Sequence, residues 1–173
     1  ARKNKIPFLG ICYGMQMAII EFARNTLKIK NATSSEFSNS GVNIVGLMDE
    51  WDKDGVIYKG TTKQLGGTMR LGLYEAKLRE NSLIRKIYKS KSIKERHRHR
   101  YEVNINFKAD FEKKGMIFSG ISPDNKLPEI IELRNHPWFI GVQFHPEFKS
   151  RPLNPHPLFS SFIKAAKIKN GKR

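Results

Sequence analysis

The stretch Pro7-Phe8-Leu9-Gly10-Ile11-Cys12-Tyr13-Gly14-Met15-Gln16 constrains the fold more than any other. The apolar run over 5–11 (KIPFLGI) reads as a short buried strand. The segment over 15–25 (MQMAIIEFARN) then has helical periodicity, with Met15, Ile19 and Phe22 near one face. Only a few residues separate the two, so Cys12 is predicted on a sharp strand-to-helix turn. Such a turn needs small neighbours, because the chain packs closely on both sides of a residue held in strained backbone geometry. A strand feeding directly into a helix points to a layered α/β domain with a central sheet.

The rest of the chain extends this pattern. Residues 30–41 (KNATSSEFSNSG) carry polar loop chemistry. Residues 42–48 read as a strand, and 49–64 as an exposed excursion. An extended segment over 66–78 (GGTMRLGLYEAKL) is predicted to enter a strand. A short helix is predicted over 81–88, capped by Asn81 or Ser82. Strands are predicted over 100–107, 116–122, 129–134 and 139–144, and an amphipathic helix over 158–168. The chain's 173 residues fit one domain, 1–173, with room for a real core. The chain starts almost directly with the Cys12 strand, where most α/β sheets would carry an earlier unit. A segment trimmed from a longer polypeptide is therefore expected.

Cys12 is the sole cysteine, so an internal disulfide is excluded and a reducing cytoplasm is expected. Neither a signal peptide nor a membrane-length apolar stretch is visible. One cysteine and scattered histidines give no metal-ligand spacing, and no metal is expected. The sequon-like Asn31-Ala32-Thr33 carries no weight in a cytoplasmic chain. The formal charge is +16, which raises nucleic acid or anionic small molecules as partners. The lysines are scattered through nearly every segment, however, as on a solvated surface. The dense patch Glu95-Arg96-His97-Arg98-His99-Arg100 alternates in character, as on a strand whose two faces differ.

Gly10-Ile11-Cys12-Tyr13-Gly14 has the glycine-x-nucleophile-x-glycine spacing. The following helix would point its N-terminus at the sulfur and lower the thiol pKa. The Tyr13 N–H would help hold an oxyanion. A buried structural cysteine is the alternative. His145 ends the apolar strand FIGVQF, at the rim where active sites of such sheets form. Glu147 lies two residues on and can orient the imidazole. Cys12, His145 and Glu147 thus form a nucleophile, base and orienter set; a satisfied core histidine at 145 is the alternative.

Gly10-x-Cys12-x-Gly14-x-Gln16 with a downstream His145-Pro146-Glu147 resembles the class I (triad) glutamine amidotransferases. Three further stretches, GGTMRLG (66–72), ERHRHRYEVN (95–104) and GVQFHPEFKSRPLNPHPLF (141–159), are similar to the glutaminase domain of CTP synthases. The resemblance implies a flavodoxin-like α/β domain that hydrolyses L-glutamine to glutamate and ammonia. It implies that Cys12 forms a γ-glutamyl thioester, His145 shuttles the proton and Glu147 orients His145. Gln16, Glu36 and Arg100 match glutamine-site positions, Glu36 suiting the α-ammonium. Arg100 suits the α-carboxylate side or a nearby activator. The backbone of Tyr13, Gly14 and Met15 is expected to line the same pocket. The basic patch and Arg70 become candidates for an edge facing substrate, activator and synthase domain; a surface ion pair is the alternative for Arg70. No cofactor is implied in this domain. In the full enzyme a synthase domain of the same polypeptide aminates UTP using ATP with Mg, GTP stimulates glutamine use, and a homo-oligomer is expected. Membrane and nucleic acid are not expected partners. Tyr13 departs from the family's usual leucine, and residues 31–37 from its usual pattern. The family's opening strand and glycine-rich oxyanion loop would precede residue 1. Alone, the chain is therefore expected to be weakly active or inactive, since one lost oxyanion donor costs about 10²–10³ in rate. The rivals are a γ-glutamyl peptidase of the same triad class and a non-catalytic basic binding module.

Overall fold

The computed structural model describes residues 1–38, 40–47, 50–53, 56–59 and 69–171. The side chains of 50–53 and 56–59 are not described. In chain order the elements are β1 (Phe8–Ile11), α1 (Tyr13–Asn25), β2 (Ala32–Ser34), β3 (Val42–Leu47), β4 (Glu50–Lys53), β5 (Val56–Lys59), β6 (Arg70–Leu78) and α2 (Leu83–Tyr88). There follow β7 (Ser92–His99), β8 (Tyr101–Val103), a 3₁₀ turn (Ile105–Phe107), α3 (Lys108–Lys113), β9 (Met116–Ile121) and β10 (Pro128–Leu133). The chain ends with β11 (Phe139–Val142), a second 3₁₀ turn (Pro146–Phe148) and α4 (Pro157–Asn170).

The main sheet has the order β1-β11-β10-β9-β6-β7. β1 and β11 run parallel, with Ile11 opposite Val142; the remaining neighbours are antiparallel. A second sheet, β2-β3-β8, is parallel at β2–β3 and antiparallel at β3–β8. Successive side chains of a strand point to opposite faces, and β10 uses both. Ile131 joins Met15, Ile19, Phe22, Phe111 and Phe118 in one core cluster. Ile130 joins Ile84, Ile140, Val142, Phe144 and Leu158 in the other. The sheet is thus buried on both sides, and each such side chain contributes about 1.5–3 kcal/mol. This is the mixed, layered α/β architecture expected from the strand-to-helix pattern.

Particular expectations fared unevenly. Ser82 caps α2, its Oγ accepting from the Arg85 N–H at 3.2 Å. The loop expected over 30–41 contains the short, wholly buried strand β2. The strand expected over 100–107 stops at Val103. There the Asn104 side chain accepts from the Asn106 N–H at 3.1 Å and turns the chain into the 3₁₀ segment. α3 was not expected; it is held down by the fully buried Phe111. Within the excursion over 49–64, β4 and β5 pair as an antiparallel hairpin. Its exposure, and the segment 66–68, lie outside the described residues. Among the described residues no helix is long and apolar enough to cross a membrane.

Candidate active site

Cys12 follows the last residue of β1, and its N–H donates to Val142 O at 2.7 Å. Its φ of 50° and ψ of −102° are costly for a residue with a side chain. Its carbonyl accepts from the N–H groups of Met15 (3.1 Å) and Gln16 (3.2 Å), which starts α1. Gly10 makes the turn feasible. A Cβ there would stand 2.8 Å from the backbone of Gly14 and from the Phe8 ring. At Gly14 a Cβ would meet nothing within 4 Å, so the two glycines of the motif serve different ends.

The parallel pairing of β1 and β11 brings the ends of both strands together. His145 lies three residues beyond Val142, its N–H donating to Arg96 O of β7 at 2.8 Å. Its Nδ1 lies 2.6 Å from Glu147 Oε1, and its ring stacks on Phe148. The His145 Nε2 is buried and has no hydrogen-bond partner among the described residues. The turn carrying this pair is anchored from behind. Lys149 Nζ donates to Lys94 O (2.7 Å) and pairs with Glu95 (3.5 Å). Buried Glu95 also accepts from Tyr88 (3.0 Å) and lies 3.0 Å from His156 Nε2. His156 in turn caps α4 through Nδ1.

A cleft of about 310 Å³ opens beside the sulfur. Of the expected residues it gathers Cys12, Tyr13, Gln16, Glu36 and Arg100, together with His99 and Tyr101. Glu36 stands exposed in the turn after β2. Gln16 is buried in the wall, its amide donating to Tyr101 O (2.9 Å) and Gln143 Oε1 (3.3 Å). Two expected pocket residues are elsewhere. Met15 is fully buried in the core, and its N–H is taken up by Cys12 O. Gly14 borders a separate depression of about 470 Å³ along Phe8 and Met17. His145 and Glu147 do not line the cleft itself.

The electrostatics correct one expectation. The Cys12 thiol is pushed up to about 11, not down. Burial is the main cause; the Tyr13 N–H opposes it, the carboxylates of Glu102 and Glu147 add to it, and the Gln143 amide opposes it. The helix N-terminus does not outweigh burial and two acidic neighbours. Arg70 corrects a second expectation. It is neither an exposed edge residue nor a surface ion pair but 2% exposed. It donates to Glu102 (3.1 Å) and Glu129 (2.7 Å), with its guanidinium over the Tyr74 ring. The alternation read in the basic patch holds. Arg96 and Arg98 face outward from β7, and His97 and His99 face inward.

Gln143 is a site residue that the motifs did not single out. It is fully buried, and its Nε2 lies 3.7 Å from Cys12 Sγ. The available signal was an amide at the end of the otherwise apolar strand FIGVQF. Among the described residues no group of three or more His, Cys, Asp or Glu side chains is placed to hold a metal ion.

A strained cysteine between a strand and a helix, with a histidine–carboxylate pair at the end of the adjoining strand, defines a class of cysteine hydrolases and transferases. The chain belongs to the class-I glutamine amidotransferase family, whose family model matches residues 1–165. Within it the chain is similar to CTP synthases. It is 81% identical over 167 residues to the enzyme of Pelagibacter ubique, a match covering 96% of this chain and 31% of that one. It is 62% identical over 166 residues to that of Bartonella quintana, covering 95% of this chain and 31% of the other. The chain therefore spans about a third of the length of these relatives. The solved glutaminase domain of Trypanosoma brucei CTPS with bound acivicin superposes with a TM-score of 0.83 at 37% identity, covering 96% of this chain and 62% of that one. A GMP synthase protein from Thermoplasma acidophilum (TM-score 0.57, 15% identity, covering 98% and 62%) shares the fold alone. The fold is thus the flavodoxin-like one of this family.

Proposed function

We propose that this chain is the glutamine-hydrolysing part of a CTP synthase. Cys12 is the nucleophile, His145 the proton carrier and Glu147 its orienting carboxylate. The observation that carries the reading is the strained Cys12 at the cleft, on the strand paired with the one ending in His145 and Glu147. In the proposed reaction the Cys12 proton passes to His145 Nε2, the ring nitrogen that Glu147 leaves free. The sulfur adds to the side-chain amide carbon of L-glutamine. The Tyr13 N–H, which already faces the sulfur, supports the developing oxyanion. His145 then protonates the departing nitrogen, the C–N bond breaks, and ammonia and a thioester result. A water deprotonated by His145 cleaves the thioester to glutamate and restores the thiol. Gln16, Glu36 and Arg100 line the cleft. Glu36 suits the substrate's α-ammonium, and Arg100 its α-carboxylate.

In the whole polypeptide the ammonia would serve a synthase domain that aminates UTP with ATP and Mg, with GTP as activator. A homo-oligomer and a reducing cytoplasm complete the proposal, with no membrane or nucleic-acid partner. Labelling with a diazo-ketone analogue of glutamine, followed by peptide mapping, tests the site. Modification is expected at Cys12 and is lost in Cys12→Ala. A folded protein that leaves Cys12 untouched refutes the assignment. In the full-length enzyme, His145→Ala should abolish glutamine-dependent CTP formation and spare the reaction with free ammonia. Loss of both would contradict the role given to His145.

A further inference from the structure

The side chains behind the cleft leave little freedom in where their protons lie. His99 Nδ1 faces two acceptors, Tyr101 O (3.2 Å) and Glu102 Oε1 (3.4 Å). Glu102 Oε1 is itself taken by Arg70. The proton of His99 therefore sits on Nδ1, and its Nε2 is bare in the neutral ring. That Nε2 lies 2.9 Å from His97 Nδ1, which must donate to it. His97 Nε2 is then bare too, and it faces Glu129 Oε2 at 3.6 Å. A lone pair against a carboxylate oxygen is repulsive, so Glu129 carries a proton on Oε2 while its Oε1 accepts from Arg70 (2.7 Å). One arginine, one carboxylate, one carboxylic acid and two neutral imidazoles leave the buried cluster without net charge, the low-cost state for such a place. Burial is also the leading cause that pushes Glu129 up and both histidines down.

The chain of contacts ends at Tyr101 O, which also accepts from Gln16 (2.9 Å). This carbonyl fixes the bend between β7 and β8, and Arg100 is the residue at the bend. Arg100 lines the cleft, and its Nε is buried with no partner among the described residues. We propose that His97 and His99, locked in one tautomer by the carboxylic acid of Glu129, are positioning residues that hold Arg100 for the substrate's α-carboxylate. This rests on reading Arg100 as a substrate-binding group.

The experiment compares two reagents for Cys12 in the full-length enzyme: a diazo-ketone glutamine analogue, which has an α-carboxylate, and iodoacetamide, which has none. Arg100→Ala should slow inactivation by the analogue about 10- to 100-fold, the worth of a charged hydrogen bond. If it does not, the assignment of Arg100 falls, and the proposal with it. If it does, His99→Leu should slow the analogue about tenfold while leaving the iodoacetamide rate within about twofold. His99→Asn, whose amide N–H can replace Nδ1–H, should restore most of the analogue rate, and His99→Gln should not. Equal slowing of both reagents, or no slowing of the analogue, overturns the positioning role. Glu129→Gln should behave as wild type because its amide can donate to His97, whereas Glu129→Leu should resemble His99→Leu. A Glu129→Gln variant as impaired as Glu129→Leu overturns the tautomer assignment. Nitrogen-15 NMR should find Nδ1 protonated in both histidines; an Nε2–H form of either also overturns it.

Discussion

The two glycines flanking Cys12 should respond oppositely to the same substitution. In Gly10→Ala the new Cβ stands 2.8 Å from the Gly14 carbonyl carbon and oxygen and 2.8 Å from the Phe8 ring. Ordinary carbon contacts begin near ~3.5 Å. The ring can tilt, but the Gly14 backbone is the first turn of α1 and moves only with the helix. Overpacking of this kind costs about 1–3 kcal/mol, and backbone on one side places Gly10→Ala in the upper half. A chain of this size loses about 2–4 °C of melting temperature per kcal/mol, so a drop of about 4–12 °C is expected. Moving the first turn also moves the Tyr13 N–H that faces the sulfur. A misplacement of about 1 Å can cost about 10²-fold in rate, so labelling by the glutamine analogue should slow in the fraction that remains folded. In Gly14→Ala the Cβ meets nothing within 4 Å. The position is helical, and alanine there is favoured by up to about 1 kcal/mol. Thermal melts and analogue labelling of both variants make the test. Equal losses, or a Gly10→Ala variant within about 0.5 kcal/mol of wild type, would refute the packing argument.

Three other perturbations follow from the charges. Alkylation of native Cys12 should climb about tenfold per pH unit above neutrality and level off only near about 11, against about 8.5 in the urea-unfolded chain; a native midpoint at or below the unfolded one would contradict the burial argument. His97 and His99 are depressed to about 2 and about 3, so the unfolded chain binds their protons first. Their contribution to stability is complete above about pH 6.5 and falls by about 1.4 kcal/mol per unit for each histidine as the pH drops below it. Urea titrations of His99→Asn should show a slope against pH shallower by one proton, and identical slopes would refute the assignment. Arg70→Met leaves Glu102 and Glu129 without their cation and should cost about 3–5 kcal/mol. Arg70→Lys should rescue it poorly, because one ammonium cannot span both carboxylates as the guanidinium fork does; a loss below about 0.5 kcal/mol in urea would show the ion pairs to be idle.

Most of the main sheet was legible because its strands are apolar runs between turns. FIGV and MIFSGI sit in the middle of a two-faced core and read that way. The polar Ala32-Thr33-Ser34 did not, because β2 is a strand by virtue of where it lies, between α1 and β3. β7 is the instructive case. Its period of two was visible, but its buried face is Glu95, His97 and His99, so hydropathy marks no core there. Which face is inside is decided by the partners waiting for those groups. Glu95 meets His156 and Lys149, and His97 and His99 meet Glu129 and the Tyr101 carbonyl.

The candidate site divides in the same way. Cys12, His145 and Glu147 were legible because strand ends and small neighbours mark them locally. Gln143, Glu102, Glu129 and the burial of Arg70 were not, since each acquires its meaning only when β6, β8, β10 and β11 are brought near one another. That difference changes the chemistry expected of the cysteine. A helix N-terminus read alone predicts a thiolate ready in advance. The assembled surroundings, with burial and the Glu102 and Glu147 carboxylates against the sulfur, keep the thiol neutral. A neutral thiol beside an unpartnered His145 Nε2 cannot act as a standing ion pair. Its proton must leave in the same event that brings the amide carbon to the sulfur. Reactivity then depends on the substrate being seated. Groups that seat it, Arg100 and the histidines behind it, therefore bear on the rate as directly as those that exchange the proton.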